Sequence, residues 1–507
     1  MQPQTAGTAS GKWIVAATVL GSSLVFIDST IVAVALPVIQ TNFRASAFAA
    51  QWVVEGYTLV LGALMLLSGA LGDRYGRKRL FIWGVVVFAI GSVVCGLAPS
   101  MPALIAARVL QGAGGTMLAP ASLALIGASF EGAARGRAIG MWSGLTAVAG
   151  AIGPVAGGTI VDHFGWRWVF YVNVPIAIAI VAISLRHLRE SRDESASGTL
   201  DLAGSLLVTA ALGAIVYAFV ASGLEGWNAS TGGALGGGVV LLAAFVYVER
   251  RIANPVLPFH LFADRAFTGI NVMTFLLYGA LGGLFYFLPF LMIQVNGYSA
   301  TFTGLAMLPF LALIVVLSRF SGALVYRVGR RDLLVTGPSL AALGFAAFAF
   351  LPDLHYWRGV LPAVLLIGCG MGLTVAPLVA TLIDSVPEHN VGLASGINNA
   401  ISRIAGLLAI AVLGAVLAAA FDARLDARMH AANFSVAQRA DVGAQRSAMA
   451  AARFQDNRET IVVHAAYVDG FRVAAFACAL LAAASALTAA IALAGVSDMK
   501  GGEPARR

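Results

Sequence analysis

The chain has 507 residues, 59% of them hydrophobic and 11% charged. A soluble domain carries roughly 25% charged residues, so a soluble protein of this length is excluded and a lipid-embedded one is implied. The formal charge of +8 does not indicate nucleic acid, because the bases sit in short turns between apolar runs, as in a membrane topology.

Apolar runs of about 17–28 residues, each long enough to span a bilayer, recur along the chain. They lie at about 13–38, 51–71, 81–98, 103–128, 138–161, 168–187, 202–221, 234–250, 268–292, 303–326, 333–351, 360–384, 393–419 and 469–495. The first is too long for a cleaved signal and carries Asp28. Cys95, Cys369 and Cys478 each lie inside an apolar run, without CxxC or metal-ligand spacing, and read as small core residues. With the N-terminus in the cytoplasm and the sides alternating, the inside collects nineteen Lys and Arg, whereas the short outside loops hold only Arg44, Arg167 and Arg358. That bias predicts a multi-pass inner-membrane protein with both termini in the cytoplasm.

The turn after the second span, GALGDRYGRKR (Gly69 to Arg79), has an echo after the tenth, GALVYRVGRR (Gly322 to Arg331). Gly69, Ala70, Leu71, Arg74, Gly76 and Arg77 match Gly322, Ala323, Leu324, Arg327, Gly329 and Arg330. A weaker echo pairs Gly115, Ala119 and Pro120 with Gly372, Ala376 and Pro377. Both shift by eight spans, which predicts a duplicated six-helix bundle with a helix pair inserted between the copies. The expected organisation is a bundle at 1–187, a linker and inserted pair at 188–266, and a second bundle at 267–507. The polar stretch 421–466 is expected to form an extracytoplasmic insertion, a surface helical hairpin or cap.

Five local patterns resemble the major facilitator superfamily, in its fourteen-helix drug/proton antiporter branch of the EmrB and QacA type. They are FIDSTIVAVALP (Phe26 to Pro37), GDRYGRKR (Gly72 to Arg79), RVLQGAGG (Arg108 to Gly115), GPVAGG (Gly153 to Gly158) and WRWVFYVNVP (Trp166 to Pro175). The resemblance implies an all-α integral membrane fold of two six-helix bundles plus two inserted helices. It also implies bundles rocking about a central cavity, and export of hydrophobic, often cationic, compounds against inward proton flow.

Asp28 is the first candidate for that chemistry. It falls near the bilayer middle, where an ionised carboxylate is costly unless it meets water or a partner. A proton and a cationic drug competing for it would suffice for antiport; a structural pair with Arg108 is the alternative. Arg108 stays charged and cannot carry the proton, but it can set when the carboxylate releases it; otherwise it snorkels to the outer interface. Gln111 lies one turn away. The branch often has an acid at the place of Glu55, which could serve cation recognition or proton entry, or merely sit at the interface. Gly72, Asp73, Arg74, Gly76, Arg77 and Arg79 read as a conformational latch, one-sided because the second copy has Tyr326 in place of Asp73. Gly153, Pro154, Gly157 and Gly158 read as a helix-packing face on the rocking surface. In the second half, Tyr278, Phe285, Tyr286, Asn398, Asn399 and Arg403 are candidates for the cavity wall, with ordinary packing the alternative for the aromatics. Arg319 and Asp384 are further charges there. Some multidrug members of the branch carry extra acids in that half; their lack here counts against dicationic drugs, and a neutral or weakly acidic product would suit Arg403 better.

No nucleophile–base pair, HExxH or P-loop lysine is present, and the glycine run at Gly232 to Gly238 opens an apolar helix. The expectation is a transporter, not an enzyme, with no cofactor and no metal, driven by the proton gradient. Its expected partners are a small hydrophobic substrate, protons and the lipid bilayer, with a periplasmic adaptor left open and no nucleic acid. A dedicated exporter of one metabolite or antibiotic, an importer, or a non-transporting receptor are the other readings.

Overall fold

In lipid every backbone polar group must be satisfied within its own segment, so apolar runs of this length become helices. The computed structural model describes residues 9–192, 201–252, 257–387 and 390–494, and among them every regular element is a helix. Linker residues 193–200, Pro255 and the basic residues Lys500, Arg506 and Arg507 lie outside the described residues. Among the described residues thirteen helices are long and apolar enough to cross a bilayer, and a pair bent by 53°, taken as one span, brings the number to fourteen.

The first spans are α1 (Ala9–Phe43), the bent pair α2 (Ala47–Ala63) and α3 (Met65–Tyr75), α4 (Arg77–Leu97), α5 (Met101–Ser129) and α6 (Gly132–Phe164). A short α7 (Trp168–Tyr171) leads into α8 (Asn173–His187), and α9 (Leu202–Glu225) and α10 (Ala229–Glu249) follow. Next come α11 (Arg265–Phe290), α12 (Ala300–Ala306), α13 (Leu308–Val328), α14 (Arg330–Phe350) and α15 (Leu361–Asp384). The last are α16 (Val391–Ala431), α17 (Val436–Ala444) and α18 (Asn457–Ala492). Starts are set by caps: Ser46 accepts from the Ala49 N–H at 3.2 Å, and Asp264 accepts from that of Phe267 at 2.7 Å.

Two spans read as single rods are broken. The second bends at Leu64, and the tenth is split at Met307 between α12 and α13. Two others are longer than the apolar pattern indicated. Both α16 and α18 run into the 421–466 stretch, leaving only α17 and a 3-10 turn, Arg446–Ala451, between them. Arg446 ties that turn back to α16 through Asp422 at 2.5 Å and Asp426 at 2.9 Å. The hydrogen bonds it donates to Asp426, opposed by burial and reinforced by Asp422, raise the Arg446 guanidinium further above its usual range.

The chain divides into two units. One comprises Met1–Ala218, Ala229–Val256 and Gly297–Leu305; the other comprises Phe219–Asn228, Leu257–Asn296 and Ala306–Arg507. The first unit's core gathers Phe81, Phe88, Leu118 and Phe130, and the second's gathers Phe267, Leu334, Leu378 and Ile397. In each unit several helix pairs meet nearly backbone to backbone, α4 with α5 and α14 with α15 among them. A Cβ on Gly91 of α4 would lie 2.7 Å from the Cα of Gln111 on α5, and one on Gly84 would lie 2.8 Å from the Cβ of Met117. In the second unit, a Cβ on Gly344 of α14 would lie 2.7 Å from the Ala363 carbonyl oxygen, and one on Gly337 would meet α15 at Thr374 and Gly370. Gly84 and Gly337, like Gly91 and Gly344, stand at the same chain spacing as Gly76 and Gly329, so the duplication extends through these contacts.

The echoed turns are alike in backbone. Gly76 (φ 113°) and Gly329 (φ 100°) each end one helix and begin the next, with their N–H groups bonded to the carbonyls of Gly72 and Val325. Only glycine takes such angles freely. Their charges differ. At the first turn Asp73 pairs with Arg77 at 2.8 Å, Arg74 lies over the Tyr75 ring, and Glu190 from beyond α8 accepts from the N–H groups of Lys78 (3.0 Å) and Arg79 (3.2 Å). At the second turn Arg330 pairs with Asp384 of α15 at 2.5 Å. The second turn therefore draws its acid from a neighbouring helix.

A Cβ on Gly76 would lie 2.7 Å from the Glu190 carboxylate. Gly76→Ala is thus expected to cost about 1–3 kcal/mol through strain, and Glu190→Ala about 1 kcal/mol through loss of the cap. Thermal unfolding in detergent should rank them in that order; an unchanged midpoint for Gly76→Ala would show that the turn relaxes freely.

Candidate functional site

The polar residues of the first unit converge on Asp28. Arg108 and Gln111 stand three residues apart on α5 and so share a face. Glycines let the neighbouring helices approach that face: Gly91 admits α4, and Gly112, whose Cβ would lie 2.8 Å from the Tyr57 carbonyl oxygen, admits α2. Side chains from α1, α2, α4, α5 and α8 thereby come into contact.

Arg108 Nη1 donates to Asp28 Oδ2 at 2.5 Å and to Gln111 Oε1 at 2.6 Å, and its Nε donates to the Val53 carbonyl at 3.1 Å. Its guanidinium lies 4.0 Å from the Tyr57 ring centroid, a cation–π contact. The other carboxylate oxygen, Asp28 Oδ1, accepts from Gln111 Nε2 at 2.7 Å and from Asn173 Nδ2 at 3.1 Å. Ser92 Oγ in turn accepts from Gln111 at 2.8 Å and from Asn173 at 3.2 Å. Asp28 and Arg108 are 0% and 1% exposed.

Three N–H donors on two oxygens are what an ionised, acceptor-only carboxylate takes up. Asn173 Oδ1 is buried with no hydrogen-bond partner. A half-turn of that amide would offer an acceptor to a protonated Asp28, so the cluster can accommodate either protonation state. Asp28 is buried in this conformation and meets partners, with the pair to Arg108 among them.

Glu55, one residue before the start of the Gly56–Tyr57 pair on α2, is also 0% exposed, so it does not lie in interfacial water. Its Oε1 accepts a long bond from Gln51 at 3.4 Å, and Oε2 has no hydrogen-bond partner. A buried carboxyl so thinly bonded carries charge at high cost.

The glycine motif of α6 serves two neighbours within the first unit. Gly153 rests on Thr30 of α1, and a Cβ on Gly157 would lie 2.9 Å from the Ile31 Cα. Gly158 rests on the Ala300 carbonyl of α12, whose Gly304 rests on the Pro154 carbonyl. Asp162, one turn beyond the motif, accepts from the Thr301 N–H at 2.7 Å and hydroxyl at 2.6 Å, and from the Ala300 N–H at 3.2 Å.

The second-half candidates lie on α11 and α16. Asn398 Nδ2 donates to Asn271 Oδ1 at 3.1 Å and to Thr274 Oγ1 at 2.9 Å, which ties α16 to α11. Asn399 is exposed and bonds back to the Ser395 carbonyl. Tyr286 is buried against Phe287 and Phe290, while half-buried Phe285 meets the Phe310 ring with centroids 4.6 Å apart. Tyr278 and Arg403 are half-buried. Among the described residues no three of His, Cys, Asp and Glu stand close enough to hold a metal ion.

Residues 18–410 match the family model described as Major Facilitator Superfamily. The chain belongs to that superfamily. It is 37% identical over 401 residues to multidrug resistance protein Stp of Mycobacterium tuberculosis, covering 78% of this chain and 74% of Stp. It is 31% identical over 486 residues to the tetracenomycin C resistance and export protein of Streptomyces glaucescens, covering 93% and 90%. In fold it is similar to the crystal structure of a bacterial homologue of the human lysosomal transporter Spinster, inward-facing and unoccupied, with a TM-score of 0.67 at 17% identity over 96% and 97% of the two chains.

Proposed function

We propose that this transporter exports hydrophobic small molecules across the inner membrane in exchange for protons, by alternating access, with Asp28 carrying the exchanged proton. The cluster around Asp28 supports this reading most directly, because its donors suit the carboxylate while the free Asn173 Oδ1 suits the acid. Arg108, fixed by the Val53 carbonyl and the Tyr57 ring, holds a constant charge beside the group that titrates. Glu55 is a second proton-exchanging group in the same unit. Two relatives named for drug resistance, one of them also for export, support the outward direction. The clustering of bases in alternate turns supports cytoplasmic termini. The turn at Asp73 and the α6 glycine face are the moving joints.

Dedicated export of one compound is the second reading, since the relative covering 93% of the chain is named for a single compound. Everted vesicles carrying the full chain test the proposal. They should accumulate ethidium when given an acid interior and lose it when the gradient collapses. Uptake indifferent to the gradient would sink proton exchange.

A further inference from the structure

One charge in the second unit is left unused by that mechanism. Arg319 stands within α13, in the polar interruption Leu317-Ser318-Arg319-Phe320-Ser321-Gly322 of an otherwise apolar helix. Counting at 1.5 Å per residue from the inner end of its apolar run, near residue 326, it lies about 10 Å into a hydrocarbon layer roughly 30 Å thick. It is exposed, and among the described residues it makes no hydrogen bond or ion pair. Asp384, at the inner end of α15, is held by Arg330.

The packing of α13 shows which way Arg319 points. Phe310, Leu313 and Leu317 lie against Gly368 and Gly372 of α15. Arg319 follows Leu317 by two residues, so it projects from the opposite side of the helix. Gly322, one turn on along that side, has nothing within 4 Å of where its Cβ would be, so space is open beside the guanidinium. Next to Arg319, Ser318 Oγ is buried without a hydrogen-bond partner. A guanidinium at this depth cannot face lipid cheaply. It needs water or an anion.

We propose that Arg319 is a binding residue for an anionic oxygen group on the exported molecule, such as a carboxylate, sulfonate or acidic phenol, received on the Gly322 side of α13. This rests on the export reading above and adds a substrate class to it. The guanidinium supplies a planar fork of donors that matches such a group, and Gly322 leaves room for the ligand's apolar body.

The test uses two probes that share a ring scaffold. 1-Anilinonaphthalene-8-sulfonate carries a sulfonate; N-phenyl-1-naphthylamine lacks it. Binding is measured by equilibrium dialysis against the full chain in nanodiscs, with empty nanodiscs as the blank. Arg319→Gln should weaken sulfonate binding ~10-fold, as expected for loss of a charged hydrogen bond, and leave the neutral probe within about twofold. Arg319→Lys should retain part of the sulfonate affinity. Equal weakening of both probes, no weakening of the sulfonate, or no sulfonate binding to the unaltered chain would overturn the proposal. If Arg319→Gln does not insert, Arg319→Lys decides: a loss confined to the sulfonate supports the assignment, and none overturns it. Dialysis needs no proton gradient. Sulfonate binding without gradient-driven uptake would therefore sink the export reading and leave Arg319 only an anion-binding residue, whereas uptake without Arg319-dependent binding would sink this inference alone.

Discussion

Asp28→Asn should abolish gradient-driven uptake into everted vesicles while the protein still inserts and binds substrate. Asparagine has the shape of the protonated acid, not of the carboxylate. Its Oδ1 can accept from Arg108, as Asp28 Oδ2 does at 2.5 Å. Its Nδ2 would then face the amide donors of Gln111 and Asn173. Gln111 cannot turn without withdrawing the Oε1 that Arg108 holds at 2.6 Å. Asn173 can turn, because its own Oδ1 is unengaged. The variant should therefore settle into the arrangement assigned to the protonated state and remain there, unable to release a proton. Removing one partner of a buried ion pair commonly costs about 3–5 kcal/mol. Here the Tyr57 ring, the Val53 carbonyl and Gln111 still hold the guanidinium, so the loss should fall at or below the lower end of that range. Thermal unfolding in detergent measures that part, and vesicle uptake measures the rest. Continued accumulation of substrate against a gradient by Asp28→Asn would remove Asp28 from the coupling step.

The sequence shows half of this cluster, and the reason is chemical. Asp28 and Arg108 stand out because full charges are rare in spans, and Gln111 lies one turn from Arg108. Asn173 and Ser92 do not stand out, because small polar residues in apolar helices serve equally as helix glue. Asn173 does lie within the quoted stretch WRWVFYVNVP, where it is the single uncharged amide. Faces are harder still. A span apolar all round gives no periodicity from which to read its inward side. The sequence accordingly does not show that the Asn398 amide joins α16 to α11. The span positions were readable from apolar length alone. The reach of α16 and α18 beyond the bilayer was not, because the pattern there turns to Ala, Arg and Asp, which suit helix and loop alike. Glu190 was hidden for another reason: nothing in a polar linker says that its acid folds back to cap α4.

The duplication makes a sharper demand on stability than on sequence identity. Gly69 and Gly322 match in the echo, yet neither is crowded: a Cβ on Gly69 would find its nearest neighbour, the Pro120 Cβ, at 3.8 Å, and one on Gly322 would find nothing within 4 Å. Gly91 and Gly344 stand at the same spacing outside the echo, and both meet backbone atoms of the facing helix at 2.7 Å. Backbone cannot swing aside as a side chain can, so a Cβ there must push two helices apart. Gly91→Val and Gly344→Val should each cost about 3 kcal/mol or more, at the upper end for overpacking. Gly69→Ala and Gly322→Ala should stay near neutral, since alanine is the better helix former. Gly91→Val should also disturb Asp28, because displacing α4 from Gln111 withdraws Ser92 and opens the cluster. Gly344→Val has no such cluster beside it and should lower the unfolding midpoint without the same loss of proton coupling. Midpoints and vesicle uptake measured on the four variants separate these outcomes. If the two valine variants were as stable as the two alanine variants, the close helix pairs would not be what holds each unit together.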